Sequence, residues 1–481
     1  MTFIPRIPQM ILGIVAAVIL GLISHTYLSA ISFRYFVAAC IAVTIALLFI
    51  IQYRQSFWKS LTLQHFLLSM MLATSFLGSA LFTVSAGPIT LFPYRVILVV
   101  LAAFLLLKVV RKDISLSGHF QIPFVYLFLL FWIFYGFLAL SWAADLTSGL
   151  KEMITLTTEI MVIFFVTTLF KREENYFEFF TLWIVMGFLL IGIGFVEHFL
   201  HHHLPISRIY HGMAYQQGIP TAVYENENDY GSFLGLLSFF YLSLAKNGKY
   251  MIYRLVGLVG FLSSVYLIIV TESRANYIGV FLGCIVWFIV FLSKKQKRAF
   301  VWTAIVLIPV VVISQLKNVS SFGKFLSQQF GSITSGNETS SVPVREHLLA
   351  NAKVFIENSF GFGVGPGNIE YYQKNDPVYP TFGAYNPHNW WFEIFSQYGF
   401  LILTGYLLMF LFLFVALFRL WKRQKNVLIS EALICGMIAF IMASISPNSF
   451  IGLNYNWVFM AFVIAYVNVH YKEIKHSGGQ K

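Results

Sequence analysis

Charge and cysteine are the scarce materials of this sequence. Of its 481 residues, 11% are charged, 58% are apolar and 18% are aromatic, with a mean hydropathy of +0.76. So little charge excludes a soluble domain of this length. The three cysteines, Cys40, Cys284 and Cys435, stand far apart in apolar runs, which excludes a disulfide framework and a thiolate metal site. No G-K-[ST] phosphate loop, H-E-x-x-H pair or EF-hand loop is present, so the common nucleotide, zinc and calcium motifs are missing. Twenty acidic residues face 32 basic ones, a net charge of +12, yet the basic residues are spaced between apolar runs and are not gathered in a patch for nucleic acid. No internal repeat stands out, and the first apolar stretch lacks the cleavage site of a signal peptide.

What is present is a succession of bilayer-length apolar runs. They predict spans near 9–25, 32–53, 62–82, 92–110, 121–141, 147–170, 176–199, 229–245, 254–272, 276–293, 299–316, 398–418, 427–446 and 450–470, each needing roughly 17–25 residues. Isolated spans satisfy their backbone hydrogen bonds internally, so the expected fold is all-α: a polytopic transmembrane bundle of about fourteen helices. Most Lys and Arg residues then fall in alternate loops, among them Lys108, Arg111 and Lys112, Lys171 and Arg172, Lys246 and Lys249, Lys294 to Arg298, and Arg419 to Lys425. That bias places both termini in the cytoplasm.

Two external segments break the rhythm, and they divide the chain. Residues 1–316 read as a bundle interrupted by an external loop at 200–228, residues 317–397 as a large extracytoplasmic loop, and residues 398–481 as the last spans with a cytoplasmic tail. A connection as long as the second is usually functional. Within it, SVPVREHLLANAKVFIENS predicts a helix, with Pro343 in its first turn and apolar residues at Leu348, Leu349, Ala352, Phe355 and Ile356. At 100° per residue Arg345 falls at the centre of that stripe, while Glu346, His347, Asn351, Lys353 and Glu357 lie opposite. A headgroup-snorkelling arginine is the plainer account of Arg345. GFGVGPGN at 361–368 lacks the rest of a phosphate loop and reads as a helix stop and chain reversal that lets backbone approach something closely.

Charges near the membrane are candidates for function by default. TESRANYIGV at 271–280 supplies Glu272 and Arg274, which can equally form a structural pair. AVYENENDYGSFLG supplies Asn226, Asn228 and Asp229, which suit helix capping or sugar hydroxyls. Glu225, Glu227 and Asp229 can hold a divalent cation, but no cation motif supports it. His198 and His202 have the spacing of a zinc pair within a cluster that includes His201, His203 and His211, without a compelling third ligand. In AYNPHNWWFEIFSQYGF, residues 384–400, His388 sits between Pro387 and the pair Trp390 and Trp391, which read as interfacial belt aromatics.

In combination these segments resemble the superfamily of O-antigen ligases and polysaccharide polymerases, bacterial membrane glycosyltransferases. TESRANYIGV is similar to its S-R-G/A segment, VPVREHLLANAKVFIENSFGFGVGPGN to its arginine helix and glycine block, and NPHNWWFEIFSQYGF to its H-N-x-x-L-x-x-x-x-E-x-G signature. Leu349, Phe392 and Gln397 depart from the frequent Trp, Leu and Glu. GPITLFPYR at 87–95 resembles a further family feature and adds Arg95.

The resemblance implies a glycan carried on polyprenyl diphosphate, of which undecaprenyl diphosphate is the bacterial form, and transfer on the outer face of the cytoplasmic membrane without metal or cofactor. In that picture Arg274 and Arg345 neutralise the diphosphate, His388 is the general base on the acceptor hydroxyl, and Asn389, Arg95, Asn226, Asn228 and Glu272 contact substrate. The acceptor is a glycan or lipid. The expected partners are membrane lipids and a flippase or chain-length regulator, and no nucleic acid. Polymerase and O-antigen-type ligase share these motifs. The excess of Lys over Arg, with frequent Phe and Asn, suggests an AT-rich Gram-positive genome, hence a polymerase of teichuronic-acid, capsule or O-antigen type. The alternative from another class is a polysaccharide or lipid transporter, for which Glu159 and Glu197 are the mid-span charges.

Overall fold

The computed structural model describes residues 63–80, 83–86, 89–113, 118–314, 341–445 and 450–472. The spans expected at 9–25 and 32–53, Cys40 and residues 317–340 lie outside the described residues. Helices occupy the other twelve expected spans: α1 (Leu63–Ser75), α2 (Pro93–Val110), α3 (Pro123–Ala139), α4 (Leu146–Leu169), α5 (Glu173–Leu200), α6 (Glu227–Asn247), α7 (Met251–Val270), α8 (Arg274–Val286), α9 (Lys294–Ser314), then α12 (Trp390–Lys422), α13 (Val427–Ala443) and α14 (Asn454–Val469). Between α9 and α12 lie the expected amphipathic helix, α10 (Ser341–Asn358), and a short α11 (Ile369–Asn375). One feature departs from an all-α reading. Strands β1 (Val84–Ala86) and β2 (Ile89–Leu91) pair antiparallel, Val84 opposite Leu91, just before α2.

Seven of the described helices are long and apolar enough to cross a bilayer. The starts of several helices are set locally. Pro93 and Pro123 occupy the first turns of α2 and α3. Asp145 caps α4 by accepting from the N–H groups of Thr147 (2.9 Å) and Ser148 (3.2 Å).

Side chains sort the helix ends into two sets. At one end His65 of α1 meets the Leu169 carbonyl of α4 (3.2 Å), Asn426 donates to Glu173 (3.0 Å), Lys246 pairs with Glu431, and the Gln121 N–H donates to Asn468 (2.7 Å). This is the end that carries the Lys and Arg clusters, and we term it the basic end. At the other, distal end the starts of α6, α8, α12 and α14 meet the finish of α13.

The sequence suggests a single span at 398–418, whereas α12 begins at Trp390 and is broken at Gly399, whose φ of +75° and ψ of −174° are not helical. A straight helix would separate residues 390 and 406 by about 24 Å, yet the Trp390 and Tyr406 rings are 6.2 Å apart. Trp391 likewise lies 6.0 Å from Phe410. The arm Trp390–Tyr398 therefore folds back along the rest of α12. Trp390 is consequently buried, not a belt aromatic: it packs on Trp132 and Trp457, at 6.1 and 6.2 Å.

The backbone at Gly399 lies in a region essentially reserved for glycine, and a Cβ there would meet the Phe362 carbonyl carbon at 2.6 Å. Gly361 (φ +79°) has open space around its Cβ position. Gly399→Ala should therefore cost about 3 kcal/mol or more and Gly361→Ala about 1–2 kcal/mol. Thermal unfolding of the detergent-solubilised variants checks the order; equal midpoints would contradict it.

Candidate active site at the distal end

The two arginines selected from the sequence come together. Arg274 opens α8 and Arg345 lies in the first turns of α10, 71 positions apart in the chain. Burial first, and then the charge of Arg274, lowers the Arg345 guanidinium from its ordinary value. A guanidinium nevertheless remains protonated in proteins. The apolar stripe beside Arg345 is buried at Leu348, Ala352, Phe355 and Ile356, so the arginine is carried on an inward face.

The opposite face of α10 corrects the helical-wheel expectation. Asn351 is not solvated but fully buried. Its amide donates to Gln373 (2.9 Å) and to the Tyr379 carbonyl (3.0 Å), and its oxygen accepts from the N–H groups of Val378 (3.0 Å) and Tyr379 (2.7 Å). His347 bonds to the Pro380 carbonyl (3.0 Å) and stacks on Tyr379 and Phe382. Segment 373–382 covers this part of the polar face because the Asn351 amide and the His347 imidazole take the place of its water. Lys353 and Glu357 remain exposed.

His388 stands in a tight turn. Its φ is +50°, and its N–H donates to the Asn386 side chain (2.8 Å), which in turn donates to Glu370 of α11 (2.8 Å). Asn389 caps α12, its oxygen accepting from Trp391 (3.1 Å) and Phe392 (3.3 Å), so that oxygen is committed to the helix and not to the imidazole. The Trp390 N–H then donates to the Ser444 carbonyl at the finish of α13 (2.9 Å). Asn386 and Glu370 are the residues the sequence reading missed; Asn-Pro ahead of His388 was the available signal.

The glycine segment supports this turn from behind. It does approach backbone closely, as expected, and what it approaches is the break in α12. The N–H groups of Val364 and Gly365 donate to the carbonyls of Ser396 (2.8 Å) and Gln397 (3.0 Å), and Phe400 N–H donates to the Gly361 carbonyl (2.9 Å). Gly367 N–H donates to the Gln397 side chain. Gly361, Phe362, Gly363 and Asn368 donate to Ile356, Ser359 and Gly365. Every N–H from 361 to 368 is thus committed within the protein, which closes a phosphate-cradle reading. The family's frequent Glu is Gln397 here. Next to it Tyr398 donates to Glu152 of α4 (2.9 Å), a carboxylate the sequence reading passed over.

The remaining candidates are dispersed or occupied. Asn226 caps α6, accepting from Asn228 (2.9 Å) and Asp229 (3.0 Å). Asn228 accepts from Ser273 (2.8 Å) beside Arg274, joining the starts of α6 and α8. Glu272 is exposed with φ +56°. Arg95 reaches Thr90 (3.0 Å) and Thr155 (3.3 Å) between α2 and α4. Among the acidic trio, Glu227 pairs with Arg208 and Asp229 accepts from Asn226 (2.9 Å). His198, His201 and His203 bond to the carbonyls of Gly218 and Gln217 at 2.6–3.0 Å and pin loop 200–228. Glu197 accepts from Thr221 (2.7 Å) and Ala222 (2.5 Å), and Glu159 from Tyr94 (2.8 Å).

These observations define a multi-pass helical membrane protein with two arginines, from α8 and α10, and a folded-back helix arm at the end of the bundle opposite its Lys and Arg clusters. A family model described as O-antigen ligase matches residues 258–407, the stretch that holds Arg274, Arg345 and His388. The chain is also 35% identical over 441 residues to the teichuronic acid biosynthesis protein TuaE of Bacillus subtilis (strain 168), with 90% of each chain covered. The chain belongs to the O-antigen ligase family.

Asn351 offers a test of how the loop is held. Asn351→Ala strands several buried groups, each costing about 1–3 kcal/mol, and should loosen the segment it covers. Limited proteolysis should then cut within residues 373–386 far faster than in the parent; an unchanged cleavage rate would show that the segment is held by other contacts.

Proposed function

We propose that the protein is a glycosyltransferase that takes its glycan from a polyprenyl diphosphate at the distal end and polymerises a cell-surface polysaccharide. The observation that carries this reading is the pairing of Arg274 and Arg345. They come from separate helices, lie within electrostatic reach of each other, and belong to the matched stretch. Two guanidinium groups suit a diphosphate because their planar forks meet its oxygens two at a time. His388 removes the proton as the acceptor hydroxyl attacks the anomeric carbon, and the diphosphate leaves with its bonding electrons toward the arginines. The Asn389 side-chain nitrogen and Arg95 are the sugar-facing groups. Asn226 and Asn228 act through the joint between α6 and α8, and Glu272 lies at its rim.

The topology that fits is fourteen spans, the described twelve plus those at 9–25 and 32–53, with both termini cytoplasmic and the distal end outside the cytoplasmic membrane. Loop 317–397 would then be extracytoplasmic, and its polar chemistry would continue into the arm up to Tyr398. A teichuronic-acid-type product is favoured by the name of the Bacillus relative. The second reading is a ligase that passes a finished glycan to another acceptor, which the family description favours. A transporter is the weaker alternative, since Glu159 and Glu197 hold helix and loop contacts. Reconstitution with one purified prenyl-diphosphate repeat unit separates the three: a polymerase gives a prenyl-linked ladder, a ligase needs an added acceptor, and a transporter leaves the glycan unchanged.

Three outcomes are expected of the reconstituted protein. Arg345→Lys keeps the charge and loses the fork, and should cost roughly 1.5–3 kcal/mol, a 10- to 150-fold loss of turnover, whereas Lys353→Ala on the exposed side of α10 should stay near the parent. Equal, mild effects would make Arg345 a headgroup anchor. His388→Ala and His388→Gln should both abolish transfer while donor binding persists, and near-parental turnover would remove the imidazole from the reaction. Activity should survive EDTA, because fixed guanidinium groups supply the charge; full loss restored by Mg²⁺ or Zn²⁺ would reopen the carboxylate and histidine clusters.

A further inference from the structure

Where α10 gives way to the glycine segment the chain turns through Phe360-Gly361-Phe362, and both aromatic side chains stand exposed among the described residues. Phe360 is 90% exposed and Phe362 59%. Phe360 also has a φ of +53°, a left-handed backbone that is unusual for a bulky residue. Exposed aromatics on a conformation of this kind would be a poor choice in water.

The turn is held on both sides, and by backbone. Its start is fixed where Gly361 N–H donates to Ile356 (2.9 Å) and Phe362 N–H to Ser359 (3.0 Å). Gly361 also accepts from Phe400 of α12 (2.9 Å), and Phe362 accepts from the Tyr135 hydroxyl of α3 (2.7 Å). Trp142 donates its indole N–H to Gly363 (3.0 Å). The tip therefore cannot swing away from the ends of α3 and α12.

Those two helices show what lies around it. On α12 the exposed apolar side chains begin at Phe400 and Leu401 and continue through Leu408 and Leu411; on α3 they run up to Phe137 and Leu138. Both helices have the length and apolarity of membrane spans, so these faces meet acyl chains. The Phe360–Phe362 tip is tied to the ends of both helices, by the Phe400 N–H of α12 and the Tyr135 hydroxyl of α3.

The geometry points to a membrane anchor: the rings of Phe360 and Phe362 insert into lipid at the edge of the bilayer and fix the C-terminal end of α10 at that depth. The partner is the lipid surface itself, at the boundary between headgroups and acyl chains, where aromatic rings settle. The inference rests on the apolar surfaces of α3 and α12 and is independent of the chemistry assigned to the arginines and His388.

The test uses the full chain with Cys40→Ala, Cys284→Ala and Cys435→Ala, a single cysteine at Phe360→Cys or Phe362→Cys, and a nitroxide label. In vesicles of phosphatidylglycerol and phosphatidylethanolamine, collisions with oxygen report the lipid phase and collisions with a nickel chelate report water. Lys353→Cys, exposed on α10, is the aqueous reference. The oxygen-to-nickel ratio at 360 and 362 should exceed that at 353 several-fold. A ratio equal to the reference overturns the anchor, and so does shielding from both reagents, which would mean that protein covers the tip. A second variant keeps the native cysteines: Phe360→Trp should add fluorescence that shallow brominated lipid quenches, and added fluorescence indifferent to brominated lipid also overturns it.

Discussion

A peptide group that leaves a helix at membrane depth must find a partner in the protein, since lipid offers none. The break at Gly399 poses that demand, and the glycine segment 361–368 answers it. Donors from Val364 and Gly365 take the carbonyls freed at Ser396 and Gln397, and the Gly361 carbonyl takes the N–H of Phe400. Once those groups are satisfied, the arm Trp390–Tyr398 is free to fold back, and its reversal brings Trp390 onto Trp132 and Trp457. The position of His388 follows from that burial, because it sits two residues before Trp390 on a turn fixed by Asn386 and Glu370. A backbone constraint some ten residues away therefore decides where the imidazole stands.

The arginine pair poses the complementary electrostatic problem. Two guanidinium groups within electrostatic reach repel, enough for the charge of Arg274 to help lower Arg345 from its ordinary value, and an anion between two such groups relieves that repulsion. α10 carries one arginine and α8 the other. The two therefore stand near each other only when the loop helix is seated, and Ala352 and Phe355 of its stripe pack against Val364, Ile369 and the Phe392 side chain of the α12 arm.

Much of this was legible in the sequence because single-helix rules carry it. Apolar run length placed twelve helices among the described residues, seven of them long and apolar enough to cross a bilayer, Pro343 and the stripe placed α10, and the glycines of 361–367 announced a close approach of backbone. What was not legible depends on pairs of elements. Asn351 looks solvated on a helical wheel because the wheel knows nothing of segment 373–382, whose backbone the amide satisfies. Trp390 looks like a belt residue because a Trp beside a span usually is one. Its burial requires the reversal at Gly399, and the sequence presents that glycine as an ordinary residue of an apolar run. Asn226 was ambiguous between cap and ligand, and capping is the use the structure makes of its side-chain oxygen.

The unequal heights of the helices give the distal end its shape. From Gly399 to Phe410, α12 drops by about 16 Å, and it is at Phe410 that Trp391 and Phe440 make contact. The finish of α13 at Ser444 and the opening of α12 at Trp390 therefore lie well below the top of the bundle, because α13 and α14 are shorter than the part of α12 that follows the break at Gly399. His388 is held at that lower level. Its imidazole is half-buried there. On this geometry the loop does more than carry Arg345: its glycine segment, seated at the break in α12, ties it to the same helix arm that sets the position of the imidazole.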